Sequence, residues 1–213
     1  MAKITDSEEE FSIFIEEAHH CIEQGYYEEA VSKLQKCLRM GVRFEEDRLS
    51  VLNELGYCFL RLGWYEDGVK TYNQILEVNP SDNDSRFFRA SAYASLKWID
   101  EAIQELKIIL ASDPTDVLAR HDLALCYRSK GWMQESLEEM RTAKKYAETY
   151  GNSEEKEVVE SSLKHLEEDI ENGDDDETKN TLLRLILALI IKRRFKVKQR
   201  KGDRAEQKKD KEV

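Results

Sequence analysis

An all-α solenoid of helical hairpins is the fold class the sequence predicts, on three observations. A short turn built around an aromatic recurs four times, at Gly25-Tyr26-Tyr27-Glu28, Gly63-Trp64-Tyr65-Glu66, Lys97-Trp98-Ile99-Asp100 and Gly131-Trp132-Met133-Gln134. Consecutive tryptophans stand 34 residues apart, with Tyr26 a further 38 upstream. A period of 34 marks stacked helix–turn–helix units and says little about function. The 213 residues hold only 2 prolines and 9 glycines, so breakers are few and long helices are the default. No stretch alternates apolar and polar residues as a half-buried strand would.

Taken in order, residues 1–10 read as an N-terminal extension. They turn acidic at Glu8-Glu9-Glu10 and hold no apolar leader run, so the expected location is cytoplasmic. Setting the turns in register then gives repeats 11–44, 49–82, 83–116 and 117–150, with 45–48 inserted. Position eight of each is small: Ala18, Gly56, Ala90, Ala124. Position twenty is small as well: Ala30, Gly68, Ala102, Ser136. Small residues at two fixed places let paired helices approach closely. Larger residues surround them, with Cys21, Phe59, Tyr93 and Tyr127 at position eleven and Leu34, Tyr72, Leu106 and Met140 at position twenty-four. Pro80 and Pro114 stop the second helices of repeats two and three, and Ser81-Asp82 and Thr115-Asp116 offer side-chain oxygens to cap the helices that follow.

Leu55-Gly56, Phe59, Gly63, Tyr65, Tyr72 and Pro80 carry a resemblance to the tetratricopeptide repeat family, which covers about residues 11–150. Repeat one has Val42 and repeat four Glu148 in place of the terminal Pro, and repeat three has Arg89 where Leu is usual. The resemblance implies stacked hairpins with a concave wall built from the first helix of each repeat. Carried over position by position, candidate groove residues are Ile15, His19, Asn53, Tyr57, Leu60, Arg61, Phe87, His121, Leu125 and Arg128. They mix apolar groups with two cations, which suits an apolar helix or extended peptide steered by an Arg. Of the clamp that some family members use for chaperone carboxylates, only Asn53 is matched. The family usually has a polar residue at position sixteen. Here Tyr26, Trp64, Trp98 and Trp132 stand there, either tightening the stack over a neighbour's turn or forming a second binding edge.

Residues 151–173 read as a capping helix, with Asn152 and Glu155 as a capping box and Val159, Leu163, Leu166 and Ile170 on one stripe. An acidic linker at 174–180 precedes an apolar-then-basic helix at 181–201 and a charged tail at 202–213. The run from Thr181 to Ile191 is too short for a span of about 20 residues and contains Arg184. Being apolar almost all round, it needs burial somewhere. Leu185, Ile186, Leu189, Ile190, Lys192, Arg193 and Arg194 are its candidate contacts. Three burials are open: this chain's own surface, a partner or second copy docked through 182–191, or a membrane interface with the basic stretch on anionic lipid. From 182 to 213 there are 12 Lys/Arg against 4 Asp/Glu, whereas the whole chain carries a net −11. With Phe195 the one aromatic of the basic stretch and no base-reading fold beside it, nucleic acid is disfavoured as a partner.

Cys21, Cys37, Cys58 and Cys126 lack CxxC spacing and fall at small-apolar repeat positions, so reduced core thiols are expected, with no metal site at His19-His20-Cys21. No phosphate loop, GxSxG or HExxH is present, so neither cofactor nor catalysis is expected. The expected function is a non-catalytic scaffold or adaptor for a protein or peptide. The alternatives are a peripheral membrane adaptor anchored by 181–201, and a chaperone of the same fold for a secreted or aggregation-prone client.

Overall fold

The computed structural model describes residues 2–41 and 45–172 together with Lys192, Arg194 and Phe195. Among these residues every regular element is an α-helix: α1 (Ala2–Gln24), α2 (Tyr27–Met40), α3 (Glu45–Leu62), α4 (Tyr65–Val78), α5 (Asn83–Ser95), α6 (Ile99–Ser112), α7 (Val117–Ser129), α8 (Met133–Tyr150) and α9 (Ser153–Asn172). The chain forms two compact units, Met1–Ala92 and Tyr93–Val213. Each is described by itself.

In the first unit α1 pairs with α2, and α3 packs between α2 and α4. α1 starts at Ala2, so the helix takes in the stretch that the sequence sets apart as an extension. The insertion 45–48 is likewise helical and lengthens α3 to 18 residues. Ala18 and Ala30 are fully buried where α1 meets α2. In the next hairpin Gly56 faces the ring of Tyr72 so closely that a Cβ on Gly56 would stand 2.7 Å from Tyr72 Cζ. Tyr72 is fully buried and stacks on Phe88, ring centroids 5.5 Å apart. α3 is buried at every residue from Val51 to Leu60, whereas in α1 Ala18 is the one buried side chain among those described.

The second unit holds the end of α5 with α6, α7, α8 and α9. Its core joins Val117 and Ala124 of α7, Met140, Ala143 and Ala147 of α8, and Val159, Leu163 and Leu166 of α9. Ser136, the polar member of the position-twenty series, is fully buried and donates its hydroxyl to the Ala124 carbonyl at 2.7 Å, so the core holds no orphan there. α8 runs 18 residues, with Glu148 standing where Pro closes the second and third hairpins, so no proline stops the helix there. α9 opens on a reciprocal cap. Asn152 Oδ1 accepts the N–H groups of Glu154 and Glu155, both at 3.0 Å, and Glu155 Oε2 accepts the Asn152 N–H at 3.1 Å.

All four interhelical turns of the repeats share one hydrogen-bond pattern, and it explains their sequence. The N–H of Tyr26, Trp64, Trp98 and Trp132 reaches the carbonyl five residues back, on Cys21, Phe59, Tyr93 and Tyr127, at 2.8–2.9 Å. The residue before each aromatic bonds three back, and it has a left-handed backbone: Gly25 φ 82°, Gly63 φ 77°, Lys97 φ 66°, Gly131 φ 76°. Together these bonds form a Schellman motif, with the aromatic at the position that usually makes an apolar contact back onto the helix. Lys97 alone meets this φ with a Cβ, at a cost of about 1–2 kcal/mol relative to glycine. Lys97→Gly is therefore expected to stabilise the protein by about 0.5–1 kcal/mol, read as a rise in Tm of a few degrees; an unchanged or lower Tm would show that the Lys97 side chain offsets the strain.

The expected linker 174–180, the helix 181–201 and the tail 202–213 lie outside the described residues apart from Lys192, Arg194 and Phe195. So do Leu185, Ile186, Leu189, Ile190 and Arg193. Among the described residues no helix is long and apolar enough to cross a membrane.

Candidate partner-binding surfaces

In the first unit, residues Asn53, Tyr57 and Arg61 follow one another every four positions and so share a stripe of α3. Tyr57 is 3% exposed, and burial pushes its phenol well above the ordinary range. Its ring meets Tyr27 edge-on, with centroids 6.1 Å apart. The Arg61 guanidinium lies over both rings, 5.0 Å from the centroid of Tyr27 and 6.0 Å from that of Tyr57, and donates to the Tyr57 hydroxyl at 3.3 Å. Among the described residues no carboxylate pairs with Arg61. Asn53 is buried, and among the described residues its Oδ1 accepts no hydrogen bond. His19 of α1 bonds Glu54 Oε1 at 2.7 Å, with half of its own side chain open to solvent. Ile15 is half-buried, while Leu60 and Phe87 are buried and serve the core.

The second unit treats its candidates differently. His121 is fully buried, with Nδ1 at 3.0 Å from Asp122 Oδ1 and Nε2 at 2.9 Å from Ser162 Oγ. One tautomer satisfies both contacts: Nδ1–H donates to the carboxylate, and Nε2 accepts the hydroxyl. The order Ser–His–Asp is that of nucleophile, base and orienting acid. Yet Ser162 is 4% exposed and His121 not at all, so no substrate carbonyl reaches the hydroxyl. What these bonds do is hold α9 to α7. One heptad further on, Arg128 of α7 pairs with Asp169 of α9, both side chains mostly buried. Because 121 bonds 162 and 128 bonds 169, the two helices run parallel in fixed register. Leu125, between them, is half-buried against the same core.

The position-sixteen aromatics are half-open. Trp64, Trp98 and Trp132 are 43–47% exposed, and each lies tilted against the aromatic of its own hairpin five residues back, at centroid distances of 5.6–5.9 Å. The ring each indole meets is thus within its own hairpin. Tyr26 finds Cys21 at the equivalent place, has no ring to lie on, and is 59% exposed.

The cysteines are free thiols. Burial pushes Cys37, Cys58 and Cys126 upward, which keeps them protonated and unreactive.

Sequence reasoning missed the carboxylates that engage the groove candidates. Nothing in the repeat pattern assigns Glu54 or Asp169 a role at the groove, although the equal spacing of 121/128 and 162/169 is visible in the chain.

Helical hairpins with small residues at two fixed positions and one recurrent Schellman turn define the class: an α-solenoid-type repeat protein. Residues 49–82 match the tetratricopeptide repeat model, so the second hairpin is such a repeat and the chain has the all-α fold of tetratricopeptide-repeat proteins. Similar solved structures include a double mutant of MamA from Desulfovibrio magneticus RS-1, at 19% identity and TM-score 0.62, covering 86% of this chain and 95% of that one. YrrB, described as a TPR protein with an unusual peptide-binding site, is similar at 19% identity and TM-score 0.58 over 66% of this chain and 70% of that one. PcrH from Pseudomonas aeruginosa is similar at 17% identity and TM-score 0.54, over 58% of this chain and 94% of that one. Identities this low carry the fold alone. None of the curated proteins compared with the chain matches it.

Proposed function

We propose that the chain is a non-catalytic interaction scaffold that holds a partner segment against the first helices of the hairpins in its first unit. The observation that carries this reading is Arg61. Its guanidinium is pre-positioned by two tyrosine rings and a hydroxyl, and among the described residues no carboxylate neutralises it. A cation fixed on aromatic faces loses little freedom when it meets a carboxylate, which favours binding. The partner it fits is a peptide or helix with an acidic group beside apolar ones. A peptide-binding site on YrrB, which shares the fold, lends support of the same kind.

Arg61→Gln tests this. With no ion pair to break, the change is expected to cost about 1 kcal/mol of stability or less, the size of a lost cation–π contact. Affinity capture from a lysate of the source cells, quantified by mass spectrometry, should show the proteins enriched by wild type falling at least several-fold with the variant. An unchanged set at unchanged Tm would remove Arg61 and its stripe from the binding surface.

A further inference from the structure

The start of α7 carries a contact that neither the repeat nor the binding surface of the first unit explains. Asp116 caps the helix, its Oδ1 accepting the Ala119 N–H at 2.9 Å. The same carboxylate is gripped from outside by Arg194, with Nη1 3.2 Å from Oδ1 and Nη2 2.8 Å from Oδ2. Both side chains are mostly withdrawn from water, at 11% and 14% exposure. Phe195, the next residue, is 2% exposed although Lys and Arg surround it in the sequence. A solvated basic tail would leave that ring in water. Here Arg194 reaches a carboxylate 78 residues away in the chain, and the aromatic beside it is withdrawn from water as well.

The local sequence shows why this carboxylate has an oxygen to offer. At the start of α5 the equivalent cap, Asp82, gives Oδ1 to the N–H groups of Asp84 and Ser85 and Oδ2 to the Ser85 hydroxyl at 2.8 Å. At the start of α7 the third helical residue is Ala119, which has no hydroxyl, so Asp116 Oδ2 is left for a group from elsewhere. A helix N-terminus repels cations through its exposed N–H groups. The guanidinium is therefore held by the carboxylate, and the two-point geometry favours Arg over Lys.

We propose that the Asp116 end of α7 is a receptor for an arginine–aromatic pair, occupied by the chain's own Arg194-Phe195 until a partner segment presenting the same pair displaces it. The recognition elements are two adjacent side chains of ordinary chemistry, so a partner helix or peptide with Arg followed by Phe, Tyr or Trp matches them equally well. Tethering makes the self-contact intramolecular, and a competitor works against an effective concentration on the order of millimolar. The tail then sets a threshold for binding. This rests on the scaffold reading above but on a different unit and different residues.

The probe is a fluorescein-labelled peptide with the sequence of residues 190–200, titrated by anisotropy against full-length proteins. Arg194→Ala/Phe195→Ala, which vacates the site, is expected to bind it at least tenfold more tightly than wild type. Adding Asp116→Asn to the vacated protein should remove that gain, since Asn still caps the helix but offers a guanidinium no charge. A peptide with Lys at the place of Arg194 should bind several-fold more weakly than the parent. Should the double variant fail to fold by circular dichroism, Arg194→Ala alone carries the comparison. Equal affinity for wild type and vacated protein, or no effect of Asp116→Asn, overturns the proposal. Because the readout is confined to α7, such a failure leaves the Arg61 capture result standing, and a failure at Arg61 leaves this titration interpretable.

Discussion

Replacing Gly56 with alanine is expected to destabilise the protein by about 2 kcal/mol, the middle of the range for overpacked cores, and so to lower Tm by roughly 4–8 °C. Helix propensity alone argues the opposite. Glycine within a helix costs about 0.5–1 kcal/mol against alanine, so an α3 judged by its own sequence would gain from the change. The packing decides otherwise. The new Cβ would stand 2.7, 2.9 and 3.1 Å from three carbons of the Tyr72 ring. That ring is fully buried and stacked on Phe88, so it has nowhere to move.

The other hairpins show how the conflict is otherwise resolved. Where position eight is Ala, at Ala18, Ala90 and Ala124, position twenty-four is Leu34, Leu106 and Met140, side chains without a flat ring against the helix. Gly56 and Tyr72 are thus a size-matched pair, and Gly56→Ala/Tyr72→Leu should recover most of the stability that Gly56→Ala loses. Tyr72→Phe is a useful companion. Among the described residues the buried Tyr72 hydroxyl has no hydrogen-bond partner, so removing it should leave Tm unchanged or raise it. Unfolding curves for the four proteins check this. A Gly56→Ala protein as stable as wild type, or no recovery in the double variant, would mean that the ring shifts freely.

The repeat was legible because its determinants are local in kind: a small residue where two helix axes approach, an aromatic and a left-handed residue at a turn. Even the aromatics at position sixteen, unusual for this family, follow from the apolar contact of a Schellman turn once Phe59, Tyr93 and Tyr127 are seen five residues before them. The groove was less legible. A family position says which helix face a residue occupies, but not what later element lies on it. His121 and Arg128 were expected to face a ligand and instead meet Ser162 and Asp169, because α9 takes the place beside α7. Arg61 and Arg128 occupy neighbouring classes of position and look alike in the sequence. One is engaged by tyrosine rings, the other by an aspartate 41 residues on. For Arg194 the sequence leaves three burials open, on the chain's own surface, a partner or a membrane, and only the fold brings it to Asp116.

The parallel register of α7 and α9 carries the second large expectation. Leu166→Ala should cost about 3 kcal/mol, within the range for truncating a fully buried leucine, because Leu166 is 1% exposed in the core shared by α7, α8 and α9. The informative readout is where the loss appears. If α9 were an acidic lid resting on a finished array, truncation would loosen α9 and leave its neighbours protected. But Val159, Leu163 and Leu166 interleave with Val117, Met140 and Ala143, and two polar bridges, His121–Ser162 and Arg128–Asp169, tie the same helices at points one heptad apart. Breaking either bridge also leaves a buried polar group without its partner. Native-state hydrogen exchange on Leu166→Ala should therefore show amides of α7 and α8 losing protection together with those of α9, as one cooperative unit. Exchange confined to α9, with α7 and α8 unchanged, would make α9 a detachable cover. His121 and Arg128 would then become available to a ligand whenever it lifts.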